Sequence, residues 1–568
     1  MANAKIAQDA CVRQLMALLC ANGLKRLVIS PGSRSTPLVQ AAVEMPELAL
    51  DSVLDERSAA FFALGLARDR DALAGVLCTS GTAVAHLLPA CVEATESAWP
   101  LLVLSADRPL NVRGLGAPQA ILQAGLLAPY ARHFFDIDAG QGLDSVCQSL
   151  VSALQDIAER GGVVHVNVAL DLPLALLPGA PLSQIGAKVA NRVREITRIN
   201  PPATGEHVLL MCCQLPSDKH AIVIINQIAQ RGDVTVVCDT PSHLRKLPGT
   251  IQPIRHVDAL LAETSLRALL RPDRIVRLGI WPTSKGAQLL SEDFANANLP
   301  VDVVSPWRPS DPLRQTRVHV IDTSIANALR DWVAAPAAAT VGVDRWQLAD
   351  HAATIAATNW PASWDERAII LELSRHLQPG DQLVLGNSMP LRDWDDFSLP
   401  IEDLAVQVHR GANGIDGTLA MALGAALALK RRTLLYLGDC TFLHDIGSLQ
   451  LLNDANRQHL GLRVAVLNND GGAIFDYLPA HDAVDPAAHR RFFTTPHALN
   501  LTAICQGFGV SARRIADLAA LQEALAQPLA IGQVQVLELL VDAQVSRQMH
   551  AAYRRSLSDA ARRVLALP

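Results

Sequence analysis

Residues 438–472 read GDCTFLHDIGSLQLLNDANRQHLGLRVAVLNNDGG and directly follow the apolar run TLLYL. Within this stretch, four apolar side chains are spaced to share one face of a helix: Ile446, Leu449, Leu452 and Ala455. The apolar run LRVAVL comes next, so the order strand, helix, strand predicts a parallel βαβ unit with a right-handed crossover. The polar residues that follow the two strands then lie side by side at the carboxyl edge of one sheet, where open α/β sheets bind ligands.

These two polar tips carry atoms suited to a metal ion. Asp439 follows the first strand, Asn469 follows the second, and Gly471 lies two residues further on. A carboxylate, a carboxamide and a free carbonyl are hard oxygen ligands for Mg²⁺, which in turn binds phosphate oxygens. A helix N-terminus after Asp439 would add N–H donors for a diphosphate. In the alternative interpretation, Asp439 only caps a helix and the asparagines only form a turn.

The composition is that of a large α/β enzyme. At 568 residues the chain is too long for one core, and roughly two to four domains are expected. Half of the residues are hydrophobic and 18% are charged, which is typical of extensively buried sheets. The net charge of −6 argues against a general nucleic-acid binder. The ten cysteines include no CxxC pair, which predicts reduced thiols and neither a zinc site nor a disulfide framework.

No segment of the sequence predicts secretion or membrane insertion. The N-terminal residues MANAKIAQDACVRQLMALLCANG predict an amphipathic helix and not a signal peptide. The longest apolar stretch, TLAMALGAALALK from Thr418, is too short to span a bilayer and predicts a buried helix. We therefore expect a soluble, cytoplasmic protein with no integral membrane segment.

Three segments of the chain alternate short apolar runs with helical patterns. We expect domains at residues 1–190, 205–345 and 350–568, joined by the linkers NPPATGE and VAAPAAATVG. Near-continuous apolar runs predict parallel strands that are covered on both faces. The predicted strands are RLVIS, GVLCTS, PLLVLSAD and GVVHVNVAL in the first segment, AIVIIN, VTVVCD, RIVRLG and VDVVS in the second, and LVLGNS, LAVQVHRG, TLLYLGD, LRVAVLNND and VQVLELLVD in the third. The first and third segments share the order strand, polar tip, helix, strand, polar tip, which is weak evidence for duplication.

One glutamate and four arginines are candidate functional residues. Glu56 begins a helical pattern in LDERSAAFFALGLARD, where a carboxylate also favours the helix dipole. Each arginine follows an apolar strand, at the edge where ligands bind. A single arginine there is a surface charge or a loop ion pair, but four predict a cationic pocket for a substrate with several carboxylates, because the planar guanidinium matches a carboxylate. The four are Arg34, Arg108, Arg392 and Arg410.

The stretch at residues 438–472 resembles the thiamine-diphosphate signature, in which Gly-Asp-Gly is followed after a spacer by Asn-Asn. Two departures are present: Cys440 replaces the usual second glycine, and the spacer is a few residues longer than usual. Eight motifs resemble, in order, those of the menaquinone-pathway 2-succinyl-5-enolpyruvyl-6-hydroxy-3-cyclohexene-1-carboxylate (SEPHCHC) synthases, closely in the first and third segments and loosely in the second. They are SPGSRSTPL, DERSAAFFALGLAR, TSGTAVAHLLPA, SADRP, GAPQAI, GNSMPLR, RGANGIDG and NNDGGAIF.

The resemblance implies an α/β fold of three doubly wound parallel-sheet domains of the thiamine-diphosphate enzyme type. It implies that Glu56 and Gln119 are catalytic, with Glu56 on the pyrimidine of the cofactor, and that Ile415 is the apolar wedge that holds the cofactor bent. The implied metal is Mg²⁺, with Mn²⁺ able to substitute, on Asp439, Asn469 and Gly471. The implied cofactor-binding residues are Glu56, Asn387, Gly414, Ile415, Gly438, Asp439 and Cys440. The implied substrate-binding residues are Ser33, Arg34, Arg108, Lys285, Ser388, Arg392, Arg410, Ile474, Phe475 and Leu478.

The implied reaction is decarboxylation of 2-oxoglutarate and addition of the resulting carbanion to isochorismate, giving SEPHCHC. The partners are then small dicarboxylates, and the chain is a homodimer or a dimer of dimers with each active site shared between two chains. Two alternatives stay open. One is another thiamine-diphosphate-dependent 2-oxo acid decarboxylase or carboligase, such as an acetolactate-synthase-like enzyme. The other is a non-catalytic ligand-sensing relative, against which the presence of Glu56 and Asp439 argues.

The middle segment departs from the family. Its members often carry Lys-Arg in a loop that reaches the substrate, whereas PTSKGAQ places Gly286 after Lys285. One carboxylate contact is therefore missing or supplied by another residue. Lys285 is equally compatible with a solvated loop lysine.

Overall fold

The computed structural model describes residues 2–68, 72–178, 198–215, 219–305, 312–313, 317–320, 325–453, 461–478, 480–530 and 532–566. These residues contain three β-sheets, and every strand pair in them is parallel. Helices connect the strands, so the predicted α/β fold of three parallel sheets is confirmed.

The first sheet has six strands in the order β2-β1-β3-β4-β6-β5. Adjacent residues of its inner strands enter different cores, as Leu27 and Val28 of β1 do, which is why these strands read as continuous apolar runs. The strands are β1 (Leu24–Ile29), β2 (Ala49–Ser52), β3 (Leu73–Cys78), β4 (Pro100–Asp107), β5 (Ala131–Asp138) and β6 (Gly162–Ala169). The helices are α1 (Ala2–Ala21), α2 (Thr36–Val43), α3 (Glu56–Leu66), α4 (Thr82–His86), α5 (Leu88–Glu96) and α6 (Cys147–Arg160).

The second sheet has five strands in the order β11-β10-β9-β7-β8. The strands are β7 (Val208–Cys212), β8 (Val234–Cys238), β9 (Arg274–Leu278), β10 (Val301–Ser305) and β11 (Arg317–Val320). The helices are α7 (Lys219–Ala229), α8 (Val257–Ala262), α9 (Thr264–Leu269), α10 (Lys285–Asn296), α11 (Ile325–Ala328) and α12 (Arg330–Ala334).

The third sheet repeats the strand order of the first, as β13-β12-β14-β15-β17-β16. The strands are β12 (Gln382–Leu385), β13 (Ala405–Val408), β14 (Thr433–Gly438), β15 (Leu462–Asn468), β16 (Ala512–Ile515) and β17 (Val534–Leu540). The helices are α13 (Val341–Thr358), α14 (Glu366–His376), α15 (Met389–Phe397), α16 (Thr418–Leu429), α17 (Asp439–His444), α18 (Ala480–Ala483), α19 (Pro486–His489), α20 (Leu501–Gly507), α21 (Leu518–Ala526) and α22 (Ala543–Val564).

The predicted βαβ unit is confirmed, but its helix differs from the prediction. β14 and β15 pair in parallel, with Gly438 opposite Leu467. The α-helix after β14 is short, and residues 446–453 form a 3-10 helix instead. Ile446, Leu449 and Leu452 are three residues apart, which matches the three residues per turn of a 3-10 helix. Ala455 lies outside the described residues.

One predicted strand is wrong. The run AIVIIN lies within α7, and the strand that precedes it is β7. Ala221, Ile225 and Ile228 are buried at helical spacing, whereas Val223 is 55% exposed. A short β-branched run has no clear period, so helix and strand cannot be separated by pattern alone.

The first and third sheets share one hydrophobic core through α3 and α16. The two helices cross at Gly65 and Gly424, where a Cβ on either glycine would lie 2.2 Å from a backbone carbonyl oxygen of the other helix. Only glycine permits this approach. The described helix at 418–429 confirms that the apolar stretch from Thr418 is a buried helix.

The predicted domain boundaries stay predictions. Residue 190 lies outside the described part of the chain, and α13 continues through residues 345 and 350. Among the described residues, no helix is both long and apolar enough to cross a membrane. All ten cysteines are free, as the sequence predicts.

Candidate active site

The predicted metal-binding residues come together at the carboxyl ends of β14 and β15. Asp439 is 1% exposed, and its Oδ2 accepts hydrogen bonds from the N–H groups of Asn469 (3.2 Å) and Gly471 (2.9 Å). Its Oδ1 accepts from the N–H of Cys440 at 2.6 Å. Burial raises the pKa of Asp439, and the hydrogen bonds from Gly471 and Cys440 oppose the rise. The carboxylate therefore holds the loop at residues 468–472, which we call the metal loop, against the start of α17.

The backbone of the metal loop requires glycine at position 471. Gly471 has a φ of +132°, and a Cβ there would lie 2.2 Å from the carbonyl oxygen of Thr494. His497 is a neighbour that sequence reasoning missed, and its Nε2 lies 3.2 Å from Asp439 Oδ2. More than twenty residues, which include the short helices α18 and α19, separate it from the metal loop, so the strand-end pattern did not point to it.

The predicted cofactor-binding residues that follow β12 and β13 are also in contact. The Asn387 Nδ2 donates to the carbonyl oxygens of His409 (2.6 Å) and Gly414 (2.8 Å). The Asn387 Oδ1 is buried and has no hydrogen-bond partner among the described residues. A buried acceptor without a donor is costly, and a ligand N–H or O–H at this point would satisfy it. Ile415 is half-buried directly after Gly414.

Glu56 begins α3, and Asp55 caps this helix by accepting from the N–H of Ser58. The Glu56 carboxylate is half-buried and makes no hydrogen bond to another described residue. Its neighbour Arg57 donates to the carbonyl oxygen of His444 at 2.8 Å, at the far end of α17. No described contact links Glu56 to the metal loop within the chain.

The predicted substrate arginines form two groups. Arg34 and Arg108 lie at the ends of β1 and β4, and the pKa of Arg34 is lowered by burial and by the charge of Arg108. Arg108 donates to the carbonyl oxygen of Pro118 (2.7 Å) and to Gln119 Oε1 (3.4 Å). Gln119 is exposed with a φ of +57°, and Ser33 is exposed beside Arg34.

The second group lies where the third sheet faces the second. Arg392 Nη1 donates to the carbonyl oxygen of Ser388 (2.7 Å), and Arg410 Nη1 donates to Asn413 Oδ1 (2.8 Å). Burial lowers the pKa of Arg410, as does the charge of Arg392, while Asp239 at the end of β8 raises it. No described contact joins this group to Arg34 and Arg108.

Ile474, Phe475 and Leu478 lie on a turn that directly follows the metal loop. Ile474 and Phe475 are half-buried, and Leu478 is 45% exposed. Three potential metal ligands, one on this turn, lie within 4.8 Å of one another: Asp476, His481 and His489. Arg547 Nη1 lies 2.8 Å from His481 Nε2, so a cation already occupies one side of this group.

No described contact joins Lys285 to the arginine groups, and its substrate-binding role stays a prediction. It lies in the first turn of α10, and its ammonium is exposed and 3.7 Å from Glu292. The following Gly286 packs against α8, and a Cβ there would lie 2.7 Å from the Leu261 Cβ. An arginine at position 286 therefore has no room in this packing.

Comparison with known proteins identifies the class. Residues 11–126 match the family described as thiamine pyrophosphate enzyme, N-terminal TPP binding domain. Residues 405–539 match the corresponding C-terminal TPP binding domain. With its three parallel sheets, the chain is a thiamine-diphosphate-dependent enzyme.

Full-length relatives identify the family within this class. A SEPHCHC synthase of Chloroflexus aurantiacus is 33% identical over 89% of this chain and 89% of its own length. The SEPHCHC synthase of Synechococcus elongatus is 34% identical over 94% of this chain and 93% of its own length. That of Geobacillus thermodenitrificans is 32% identical over 93% of this chain and 92% of its own length. The chain belongs to the family of 2-succinyl-5-enolpyruvyl-6-hydroxy-3-cyclohexene-1-carboxylate synthases. These relatives favour the first functional interpretation over its two alternatives, while the roles of individual residues stay predictions.

Proposed function

We propose that this chain decarboxylates 2-oxoglutarate and joins the remaining four-carbon unit to isochorismate, giving SEPHCHC in menaquinone biosynthesis. Bound thiamine diphosphate supplies the electron sink for loss of CO₂ and for formation of the new C–C bond. The observation that carries the substrate class is the placement of arginines at strand ends of both the first and the third sheets. Two dicarboxylate substrates need several cationic contacts, and bidentate arginines provide them with defined orientation.

The residues present fit the cofactor. Glu56, without a described partner, would accept a hydrogen bond from a ring nitrogen of the pyrimidine. Asn387, Gly414 and Ile415 would contact the rings, and the orphan Asn387 Oδ1 gives this group an unsatisfied acceptor. Gly438, Asp439 and Cys440 would hold the diphosphate end.

A divalent cation completes this proposal. Mg²⁺, for which Mn²⁺ can substitute, would bind the Asp439 carboxylate, the Asn469 side chain and the Gly471 carbonyl oxygen, together with diphosphate oxygens. Asp439 Oδ2, which accepts from the Asn469 and Gly471 N–H groups, lies beside the other two proposed ligands. The metal would fix the diphosphate while the arginines orient the substrates.

The two groups of arginines would bind different substrates. Arg392 and Arg410 lie near each other and would bind the carboxylates of one substrate, with Ser388 beside them. Arg34 and Arg108, with Ser33 and Gln119, would bind those of the other, and Gln119 would position the reacting group. Ile474, Phe475 and Leu478 would cover the site and limit entry of water.

We also propose that the working unit is a homodimer or a dimer of dimers in the cytoplasm. Glu56 and the metal loop have no described contact within one chain, yet both must reach one cofactor. A two-fold axis that brings Glu56 of one protomer to the metal loop of its partner would build two equal sites.

The test is steady-state kinetics of Arg392→Ala and Arg410→Ala with each substrate varied. Loss of a charge-assisted contact should cost about 1.5–3 kcal/mol in kcat/KM for a dicarboxylate and leave cofactor affinity nearly unchanged. Arg513→Ala is a matched control, because Arg513 is exposed and paired with Glu523. Unaltered constants for both substrates, or preference for pyruvate over 2-oxoglutarate in the parent enzyme, would contradict the proposal.

A further inference from the structure

We propose that Glu93 is a positioning residue that shapes the loop at residues 410–415, here called the Arg410 loop, for substrate and cofactor binding. This inference rests on the proposed function, because it assigns Glu93 a role through Arg410 and Ile415. Glu93 belongs to α5 of the first sheet, whereas the Arg410 loop follows β13 of the third. Neither motif nor spacing in the sequence links the two.

The Glu93 carboxylate binds the backbone of the Arg410 loop directly. It is 2% exposed, and its Oε2 accepts from the N–H of Ala412 at 2.8 Å. Its Oε1 accepts from the N–H of Gly411 at 3.1 Å and from the hydroxyl of Ser97. Two consecutive amides are thus held by one buried anion, which fixes the local peptide planes.

The approach of the two segments is close. A Cβ on Gly411 would lie 2.6 Å from the Ser97 Oγ and 2.7 Å from the Ser97 backbone nitrogen. Position 411 therefore admits only glycine while α5 stays where it is. The loop cannot move toward α5, and the hydrogen bonds to Glu93 prevent it from moving away.

The remaining contacts of the Arg410 loop lead to the candidate active site. Arg410 precedes the clamped amides and donates to Asn413 Oδ1 at 2.8 Å. The Gly414 carbonyl oxygen accepts from Asn387 at 2.8 Å, just before Ile415. Glu93 and Asn387 thus hold the loop at two points, and the predicted substrate arginine and cofactor wedge lie at its two ends.

The hydrogen bonds to Glu93 offset part of the cost of burying its carboxylate. Burial raises the pKa of Glu93, while the two amides, Ser97 and the charge of Arg68 oppose that rise. Removing a buried acceptor leaves its donors without partners, and such a loss is larger than that of an exposed hydrogen bond. The Arg410 loop should therefore change its conformation when this carboxylate is removed.

The first experiment compares Glu93→Ala and Glu93→Gln with Asp350→Ala. Asp350 is the matched control, because its Oδ1 accepts from the N–H groups of Arg255 and His256, both at 3.0 Å, and no described hydrogen bond joins it to the Arg410 loop. Glu93→Ala should raise the KM of a dicarboxylate substrate about 10- to 100-fold and lower kcat. Glu93→Gln, which keeps one acceptor, should recover part of the loss. Hydrogen exchange at residues 405–417 should quicken in Glu93→Ala and stay unchanged in Asp350→Ala.

The second experiment separates a positioning role from a structural one. If Glu93 acts through Arg410, the effects of Glu93→Ala and Arg410→Ala on KM should be strongly non-additive, whereas those of Glu93→Ala and Arg108→Ala should add. Equal losses of thermal stability in Glu93→Ala and Asp350→Ala with unchanged KM would overturn the inference. If Arg410→Ala itself leaves KM unchanged, the proposed substrate pocket fails instead, so the two failures are distinguishable.

Discussion

Glu56 is the residue with the most specific predicted task. Its carboxylate begins α3, is half-buried and has no described hydrogen-bond partner, so it is available to a ligand. Glu56→Gln keeps the size of the side chain but removes the anion that would accept the ring-nitrogen hydrogen bond. We expect the variant to fold normally and to lose about 10²- to 10⁴-fold in kcat. Circular dichroism checks the folding of the variant, and a steady-state assay measures its kcat. Near-normal carboligation by a folded Gln variant would contradict this assignment.

The packing around Gly286 leaves no room for the arginine of the Lys-Arg pattern. Its Cβ position is blocked by the Leu261 Cβ at 2.7 Å and the Val257 carbonyl oxygen at 3.1 Å, and its N–H donates to Asp258. Gly286→Arg should therefore destabilise the protein by about 1–3 kcal/mol through overpacking and should not improve substrate binding. Arg513→Ala is the control, since Arg513 is exposed and paired with Glu523. Unchanged unfolding free energy with a lower KM in Gly286→Arg would show that α8 yields to the new side chain.

At the residue scale, sequence reasoning located the polar and charged residues that follow the strands. It missed the residues that hold the loops carrying them. Asp439, Asn469 and the arginines follow apolar runs, so the pattern located them. Glu93 and His497 act on loops that are distant in the sequence, and only the folded chain brings them close. An ordinary helical glutamate and a loop histidine carry no local signal of such a role.

At the scale of elements, the metal loop and the start of α17 form one unit. Asp439 accepts hydrogen bonds from both Asn469 and Gly471, so the two strand tips depend on the same carboxylate. Asp439→Ala and Asn469→Ala should each weaken Mg²⁺ affinity and cofactor retention. Asp517→Asn, which alters a carboxylate that caps α21, should leave both unchanged. Isothermal titration calorimetry measures the affinity of each variant for Mg²⁺ and for thiamine diphosphate. Parent-like affinity in both Asp439→Ala and Asn469→Ala would show that the metal loop does not bind the metal or the cofactor.

Most strands in the interior of the sheets were predicted, although β7 was missed. The edge strands β8 and β13 were predicted, whereas the other edge strands were not. The inner strands are covered on both faces and are therefore continuous apolar runs, as PLLVLSAD is. The edge strands β5, β11 and β16 carry charged residues, in ARHFFDID, RVHV and ARRI, and were not predicted. Edges meet solvent, and charge there opposes pairing with another chain, so the apolar signal is weak.

At the scale of the whole molecule, the first and third sheets have the same strand order, which supports the duplication suggested by the sequence. Glu56 follows the second strand of one sheet, and Ile415 follows the second strand of the other. The helices after them, α3 and α16, cross at paired glycines. The first and third sheets thus present equivalent strand ends. The proposed cofactor would contact the first sheet of one protomer and the third sheet of its partner.

This arrangement predicts complementation between inactive chains. Co-refolding Glu56→Gln chains with Asp439→Ala chains would give mixed dimers with one doubly damaged site and one undamaged site. Activity should return to part of the parent value, and each variant refolded alone should stay inactive. If every site is built within one chain, all sites in the mixture stay damaged and no activity returns.

Identification of the product tests the central claim most directly. The purified chain, supplied with thiamine diphosphate and Mg²⁺, should convert 2-oxoglutarate and isochorismate into CO₂ and SEPHCHC, which mass spectrometry detects. Omission of isochorismate should abolish this product. Release of CO₂ without any adduct of isochorismate, or an adduct formed from pyruvate in preference to 2-oxoglutarate, would contradict the account.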